Sequence, residues 1–334
     1  MNTAGNGSER SGAIMDYKIT LIPGDGIGPE VTNAAVACVD AVAEKCGFGV
    51  VWEKRLIGET SIKEGGELLG EDTLASIRKN KVALKGPVTT PLGTGFRSVN
   101  VELRQKLDLY ADLRPAKSMP GVKTRFSSVD IVVVRENSED LYAGMEYDIG
   151  GKETKRFIKF AEETLGKKIR EDSAVALRPI SESATERIAE YAFGYARLHK
   201  RKTVTAANKS NILKYTDGLF VMAAEKVSKR YPEIGFNSML IDALCQNLVT
   251  KPEQFDIILC PNFYGDFLSD LCAGLVGGLG VVPSANIGDD AAVFEPVHGS
   301  APKHAGKNEV NPTACILSAA MMLNYIVQEG ARTR

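Results

Sequence analysis

Short, uninterrupted apolar runs alternate along this chain with longer stretches whose apolar positions recur every three or four residues. Lys18-Ile19-Thr20-Leu21-Ile22, Val82-Ala83-Leu84, Ile131-Val132-Val133-Val134 and Ile257-Ile258-Leu259-Cys260 are of the first kind. Runs of this length bounded by turn residues predict strands buried on both faces, as in a parallel sheet. Further strands are expected at 203–206 and 238–242. Val31, Ala35, Cys38 and Val42 mark one face of a helix that begins near Pro29 and closes at Gly47. Other helices are predicted at 73–79, 153–165, 182–199 and 215–230. In the third of these, Ser183 with Glu186 reads as a capping box. The stretch 89–115 shows few features of regular core. Strands alternating with helices predict an α/β fold with a mainly parallel sheet. Residues 1–15 are polar and Gly/Ser-rich, and read as a flexible tail rather than a signal peptide or membrane span.

Composition narrows the function classes. With 334 residues, 44% hydrophobic and 25% charged, the chain can build one large or two medium domains with real cores. A net charge of −1 supplies no global field to draw nucleic acid or a membrane surface. Six scattered cysteines (38, 46, 245, 260, 272 and 315) form no CxxC pair. They argue against zinc and a disulfide framework and suit a reducing cytoplasm, and buried thiol is the default for the several that sit inside apolar runs.

The most telling stretch runs from Asp256 to Asp270. A buried strand ends at Pro261-Asn262, and a helix follows. On it Asp266 and Asp270 are four apart and share one face, where two carboxylates repel unless a cation lies between them. Mg²⁺ or Mn²⁺ is the natural candidate, and a solvated acidic helix start is the plainer alternative. Asp242 offers a third carboxylate at the end of the strand Met239-Leu240-Ile241. Arg104, Arg114 and Arg135 lie at or near strand ends, and three guanidinium forks on one cleft would suit a di- or tricarboxylate. Taken singly, such an arginine is usually a surface residue. Ser98 and Asn100 are two apart and would add neutral donors, or serve turn chemistry. Tyr142 follows an acidic loop and suits proton donation to a carbanion or half-buried packing. Lys209, straight after a strand, suits a base or a plain surface lysine. The turn Pro23-Gly24-Asp25-Gly26-Ile27-Gly28 lacks the glycine spacing of a dinucleotide fingerprint and reads as a tight structural turn beside a cleft. The loop from His298 to Lys307 is rich in small residues that let a ligand approach the backbone, and Lys303, His304 and Lys307 suit a phosphate.

Together these motifs resemble the isocitrate/isopropylmalate dehydrogenase family, the β-decarboxylating dehydrogenases. The resemblance runs from about Lys18 to Tyr325. It rests on the Ile22–Glu30 stretch, on Arg135-Glu136-Asn137-Ser138-Glu139, on Pro261 to Asp270 and Ala273 to Gly280, on Pro283-Ser284-Ala285-Asn286-Ile287-Gly288 and on the His298 loop. Arg97-Ser98-Val99-Asn100-Val101-Glu102-Leu103-Arg104 resembles the isocitrate dehydrogenase branch, whose serine and asparagine hold a carboxylate that isopropylmalate lacks.

The resemblance implies the family's two-domain, non-Rossmann fold, with a large discontinuous domain at 16–109 and 276–334 and a small one at 110–275. It implies a homodimer with shared active sites. Asp266, Asp270 and Asp242 of the partner subunit would hold the metal. Tyr142 would protonate an enolate, and Lys209 of the partner subunit would assist hydroxyl deprotonation. Ser98, Asn100, Arg104, Arg114 and Arg135 would bind substrate. Thr89, His298, Gly299, Ser300, Ala301, Lys303, His304 and Asn311 would bind the cofactor. NADP is expected over NAD, because NAD-using relatives carry an acid where Lys303 stands. The chain is shorter at its C-terminus than the family pattern, so weaker NADP affinity is expected. The alternatives are a homoisocitrate or isopropylmalate dehydrogenase using NAD, or a non-catalytic regulatory subunit.

Overall fold

The computed structural model describes residues 16–89 and 98–332. The expected tail and Arg97 lie outside them. Twelve strands are present among these residues: β1 (Asp16–Ile22), β2 (Gly49–Lys54), β3 (Val82–Lys85), β4 (Ala111–Lys117), β5 (Asp130–Glu136), β6 (Glu146–Tyr147), β7 (Val175–Ala176), β8 (Thr203–Asn208), β9 (Gly235–Leu240), β10 (Ile257–Cys260), β11 (Pro283–Ile287) and β12 (Ala292–Pro296). The α-helices are α1 (Gly28–Cys46), α2 (Gly58–Lys63), α3 (Glu71–Asn80), α4 (Val99–Lys106), α5 (Lys152–Leu165), α6 (Glu182–Leu198), α7 (Thr216–Ser228), α8 (Ile241–Leu248), α9 (Asn262–Leu275) and α10 (Thr313–Arg332).

Ten strands form one sheet in the order β2-β1-β3-β12-β11-β4-β5-β10-β8-β9, and β6 with β7 makes a separate ribbon. Six of the nine pairings in the large sheet are parallel. The other three, β12–β11, β11–β4 and β4–β5, are antiparallel and form a seam in its middle. One core packs β1, β5, β8 and β10 against α1, α6, α7 and α10, and a second packs α8 and α9 on the opposite face of β5 and β10. Among the described residues no helix is long and apolar enough to cross a membrane.

Several local expectations need correction. On α1 the buried stripe is Val31, Ala35, Val39 and Ala43, whereas Cys38 and Val42 are exposed. The apolar stripe therefore advances strictly by four residues. Gly47 does close the helix, in the left-handed conformation. The N-cap of α6 is Ser181, whose side chain accepts from the Ala184 amide, so Ser183 is not the cap. The stretch 89–115 is more regular than expected. It carries α4 and the start of β4, and Val99 and Leu103 of α4 are buried. Cys260, Cys272 and Cys315 are buried thiols, but Cys38 and Cys46 are exposed.

Candidate active site

The site grows out of the antiparallel seam. Side chains two apart on a strand share a face, so Asp112 and Arg114 of β4 point the same way while Leu113 faces the core. Register then sets Asp112 directly across from Arg135 of β5 on one side and from Asn286 of β11 on the other. Ser284, two residues from Asn286, lies opposite Glu295 of β12. Glu295 is ion-paired with Lys85 at the end of β3 and accepts from Asn286 Nδ2 at 2.7 Å. A buried polar stripe thus crosses the centre of the sheet from Lys85 to Arg135. Buried charges of this kind persist only when paired, and here each has a partner.

Helix α9 lies against the Arg135 end of this stripe. A Cβ on Gly265 would fall 2.4 Å from Arg135 Cγ, so only glycine lets the helix come this close. The Arg135 guanidinium donates to Asn262 Oδ1 at 2.8 Å and to Asp266 Oδ1 at 2.5 Å. Arg114 donates to Ser269 Oγ at 2.8 Å, and its Nη1 is 3.6 Å from Asp270 Oδ1. Tyr142 donates to the other oxygen of Asp266 at 2.6 Å. Asp266 and Asp270 therefore do share one face of α9, in its second and third turns rather than at its start. Burial would raise the Asp266 carboxyl, but Arg135, Tyr142 and Arg114 together hold it below the ordinary range. The Asp270 carboxyl is pushed up by burial and by Asp266, against the pull of Arg114. Two carboxylates one turn apart, one of them raised and partly exposed, form an oxygen donor pair that suits a hard divalent cation. Among the described residues no cluster of three or more His, Cys, Asp or Glu side chains is arranged to hold a metal.

Arg104 and Asn100 are four apart on α4 and line a cleft of about 100 Å³ together with Arg114, Ser284, Glu295 and His298. Asn100 Oδ1, Arg104 Nε, Ser284 Oγ and His298 Nε2 are buried there without a hydrogen-bond partner. Buried polar atoms are normally satisfied, so four orphans on the walls of one cleft mark a place where a polar ligand completes them. A larger cavity of about 540 Å³ lies on the opposite face of the same strands, walled by Leu113, Tyr191, Tyr195, Phe294 and Tyr325. It contains none of the candidate catalytic, substrate, cofactor or metal residues named from the sequence. Ser98 precedes α4, is exposed and makes no capping bond to it.

The glycine turn packs against Pro87, which lines the cleft, and against Ser300. Gly24 and Gly26 have positive φ, and a Cβ on either would meet the carbonyl oxygen of Pro87 or Ser300 at 2.1 or 2.0 Å. The turn so held brings Thr89 and Ser300 within 2.6 Å of each other through their hydroxyls. Asp25 accepts the Thr89 amide at 2.8 Å and the Thr60 amide at 2.8 Å. Beyond Ser300, Ala301 adopts a left-handed conformation at φ 38°, and Gly299, Lys303 and His304 are exposed. Burial lowers the His298 pKa, which keeps its ring neutral near pH 7. His304 Nδ1 lies 2.7 Å from Glu309, and Asn311 Oδ1 accepts from Thr313 at the start of α10.

Lys209 and Asp242 are joined to each other, Nζ to Oδ1, at 2.6 Å. Asp242 does not end a strand. β9 stops at Leu240 and Asp242 lies in the first turn of α8, where the helix dipole favours a carboxylate. Asp217, fully buried, accepts the Lys209 backbone amide at 2.5 Å and fixes the loop after β8.

Sequence reasoning missed Asp112, Lys85, Ser284, Asn286 and Glu295. Lys85 carried a signal, since a lysine ending a buried apolar run needs a counter-ion. Asp112 carried a weaker one, its spacing of two from Arg114.

The chain matches the model of the isocitrate/isopropylmalate dehydrogenase family over residues 18–333. It is 45% identical over 332 residues to an NADP isocitrate dehydrogenase of Archaeoglobus fulgidus, covering 92% of this chain and 81% of that protein. A mitochondrial NAD isocitrate dehydrogenase catalytic subunit of Arabidopsis thaliana is also 45% identical, over 308 residues, covering 92% of this chain and 76% of that one. Among solved structures, isocitrate dehydrogenase from Methylococcus capsulatus superposes with a TM-score of 0.83 at 47% identity, over 93% of this chain and 86% of that chain. By sequence and by fold, the chain belongs to the isocitrate/isopropylmalate dehydrogenase family.

Proposed function

We propose that this protein oxidises and decarboxylates isocitrate to 2-oxoglutarate and CO₂, with a divalent metal and with NADP preferred as hydride acceptor. The observation that carries this reading is the convergence of Arg104, Arg114 and Arg135 on one buried point, with Asp266 and Asp270 against Arg135 and Arg114 and with Asn100 in the cleft that Arg104 and Arg114 line. Three forks suit the carboxylates of a tricarboxylate, and Asn100 with Ser98 suits the one that isopropylmalate lacks. An apolar substrate arm would leave the Arg104 Nε donor unsatisfied, which favours isocitrate over isopropylmalate.

Asp266 and Asp270, joined by Asp242 of the partner subunit, would hold Mg²⁺ or Mn²⁺, which when bound makes a substrate hydroxyl more acidic and polarises the neighbouring carbonyl. Lys209 of the partner subunit would assist removal of the hydroxyl proton as hydride leaves C2 for the nicotinamide. The β-keto acid that results loses CO₂. Tyr142 then delivers its phenolic proton to the carbon left behind. Burial and the bond to Asp266 raise the Tyr142 pKa, so the phenol is protonated when it is needed. The Lys209–Asp242 pairing fits a homodimer in which each chain completes the other's cleft. The cleft would lie between the segments 16–109 with 276–334 and the segment 110–275. Exposed Lys303 supports NADP, because its charge suits the 2′-phosphate where NAD sites commonly place a carboxylate. Retention of Tyr142, Lys209, Asp242, Asp266 and Asp270 weighs against a purely regulatory subunit. The cysteine pattern is compatible with a cytoplasmic setting.

The deciding experiment is a turnover assay with Mg²⁺ that compares isocitrate, homoisocitrate and isopropylmalate against both cofactors. The highest kcat/KM is expected for isocitrate with NADP. Faster turnover of isopropylmalate would overturn the substrate, and absence of turnover with all three would favour the regulatory reading.

A further inference from the structure

The three arginines just assigned to carboxylate binding already share a carboxylate. Asp112 Oδ2 lies 3.0 Å from Arg114 Nε and 2.9 Å from its Nη2, 3.4 Å from Arg104 Nη2 and 3.9 Å from Arg135 Nη1. Its other oxygen, Oδ1, is buried and has no partner. Asp112 is fully buried, Arg135 is 1% exposed, and Arg104 and Arg114 are 9% and 8% exposed. Such burial removes the water that would otherwise screen three guanidinium charges from one another. The carboxylate cannot swing away, because it stands mid-strand between β5 and β11, with Arg135 directly opposite and Arg114 two residues on. Burial alone would raise the Asp112 pKa, but the three guanidiniums overrule it and keep the group ionised.

We propose that Asp112 is a specificity-determining positioning residue. It is a fixed internal counter-ion that holds the three arginines in their binding geometry and cancels part of their charge, so that only a ligand with several carboxylates is retained. This inference rests on the reading of Arg104, Arg114 and Arg135 as substrate-carboxylate ligands. A small anion meets a cluster whose field Asp112 has already reduced. A tricarboxylate spans all three forks and also reaches Asn100, so it gains contacts that Asp112 does not contest. A carboxylate that served packing alone would be lost only at the expense of binding. An internal counter-ion should yield tighter anion binding when its charge is removed.

Calorimetric titration of the metal-free protein with malonate and with tricarballylate tests this, since neither measurement needs turnover. The wild type should bind malonate only weakly and tricarballylate distinctly better. Asp112→Asn keeps the shape and an acceptor oxygen. It should bind malonate about tenfold or more tightly than wild type, as expected for removing one nearby charge at an effective dielectric constant of about 20. Selectivity for the tricarboxylate should narrow, and in turnover the isocitrate KM should fall relative to kcat. Adding Arg104→Gln should abolish the gain, which ties it to the cluster. Asp112→Ser gives the same comparison should the amide fail to fold. Unchanged or weaker malonate binding in either folded variant overturns the proposal, as does micromolar malonate binding by the wild type. A wild type that does not turn over isocitrate, with the malonate gain still seen in Asp112→Asn, would remove the proposed reaction and leave the counter-ion standing.

Discussion

The hydroxyl of Tyr142 lies 2.6 Å from Oδ2 of Asp266, and the Arg135 guanidinium lies 4.7 Å from the centre of the Tyr142 ring. The proposed proton donor and the proposed metal carboxylate are thus held by the same arginine. Tyr142→Phe keeps the ring and its contact with Arg135 but removes the proton. Turnover should fall by about 10²–10⁴-fold, the usual contribution of a positioned acid, with little change in thermal stability. Turnover within a fewfold of wild type would exclude Tyr142 as the donor.

The Lys209–Asp242 pair makes a subunit prediction. In a heterodimer of wild type with a Tyr142→Phe, Lys209→Met double variant, shared sites would leave each cleft with one damaged group, and activity should nearly vanish. Half the wild-type activity in purified heterodimers would mean that each chain serves its own cleft.

Removing a charge from the donor pair on α9 should act first on metal binding. Asp270 is partly exposed and contacts Arg114 only at 3.6 Å, so Asp270→Asn should fold normally. Mn²⁺ affinity and turnover at limiting metal should both drop by orders of magnitude. Equal Mn²⁺ titrations for the two proteins would place the metal elsewhere.

Cofactor choice should follow the loop after Ala301. Lys303→Asp with His304→Ile replaces a positive charge by an acceptor and frees Glu309 from its 2.7 Å contact with His304. The ratio of kcat/KM for NADP over NAD should fall, as a carboxylate repels the 2′-phosphate and suits a ribose hydroxyl. If the wild type already favours NAD, Lys303 does not reach the phosphate.

Stability should depend on pH through Glu295. Burial would raise its carboxyl, but Lys85 and Arg104 hold it below its ordinary value of 4.5. Its contribution is therefore fully present above that value, where the unfolded chain is also ionised, and is lost as the pH falls below it and through the lower pKa of the folded state. Glu295→Gln strands the buried Lys85 ammonium and should cost about 3–5 kcal/mol near pH 7. The gap to wild type in denaturant unfolding should shrink toward pH 3. A gap of the same size at both pH values would show that the effect is packing rather than charge.

The sequence by itself determined the parallel parts of the fold. β5 and β10 are covered on both faces, so their residues are apolar without interruption and stand out as Val132-Val133-Val134 and Ile257-Ile258-Leu259. The glycine turn and the placement of Asp266 and Asp270 on one helix face were legible for the same kind of reason, since local backbone geometry dictates them. The antiparallel seam was not. β4, β11 and β12 turn one face to the core and the other to charged and polar side chains, so Asp112-Leu113-Arg114 and Ser284-Ala285-Asn286 look irregular in one dimension. Nor does any local pattern bring Lys85 to Glu295, 210 residues away, or set Asp112 across from Arg135. Strand register decides those meetings. Register is a property of the whole sheet, because a shift of one residue would turn every one of these charges into the opposite face.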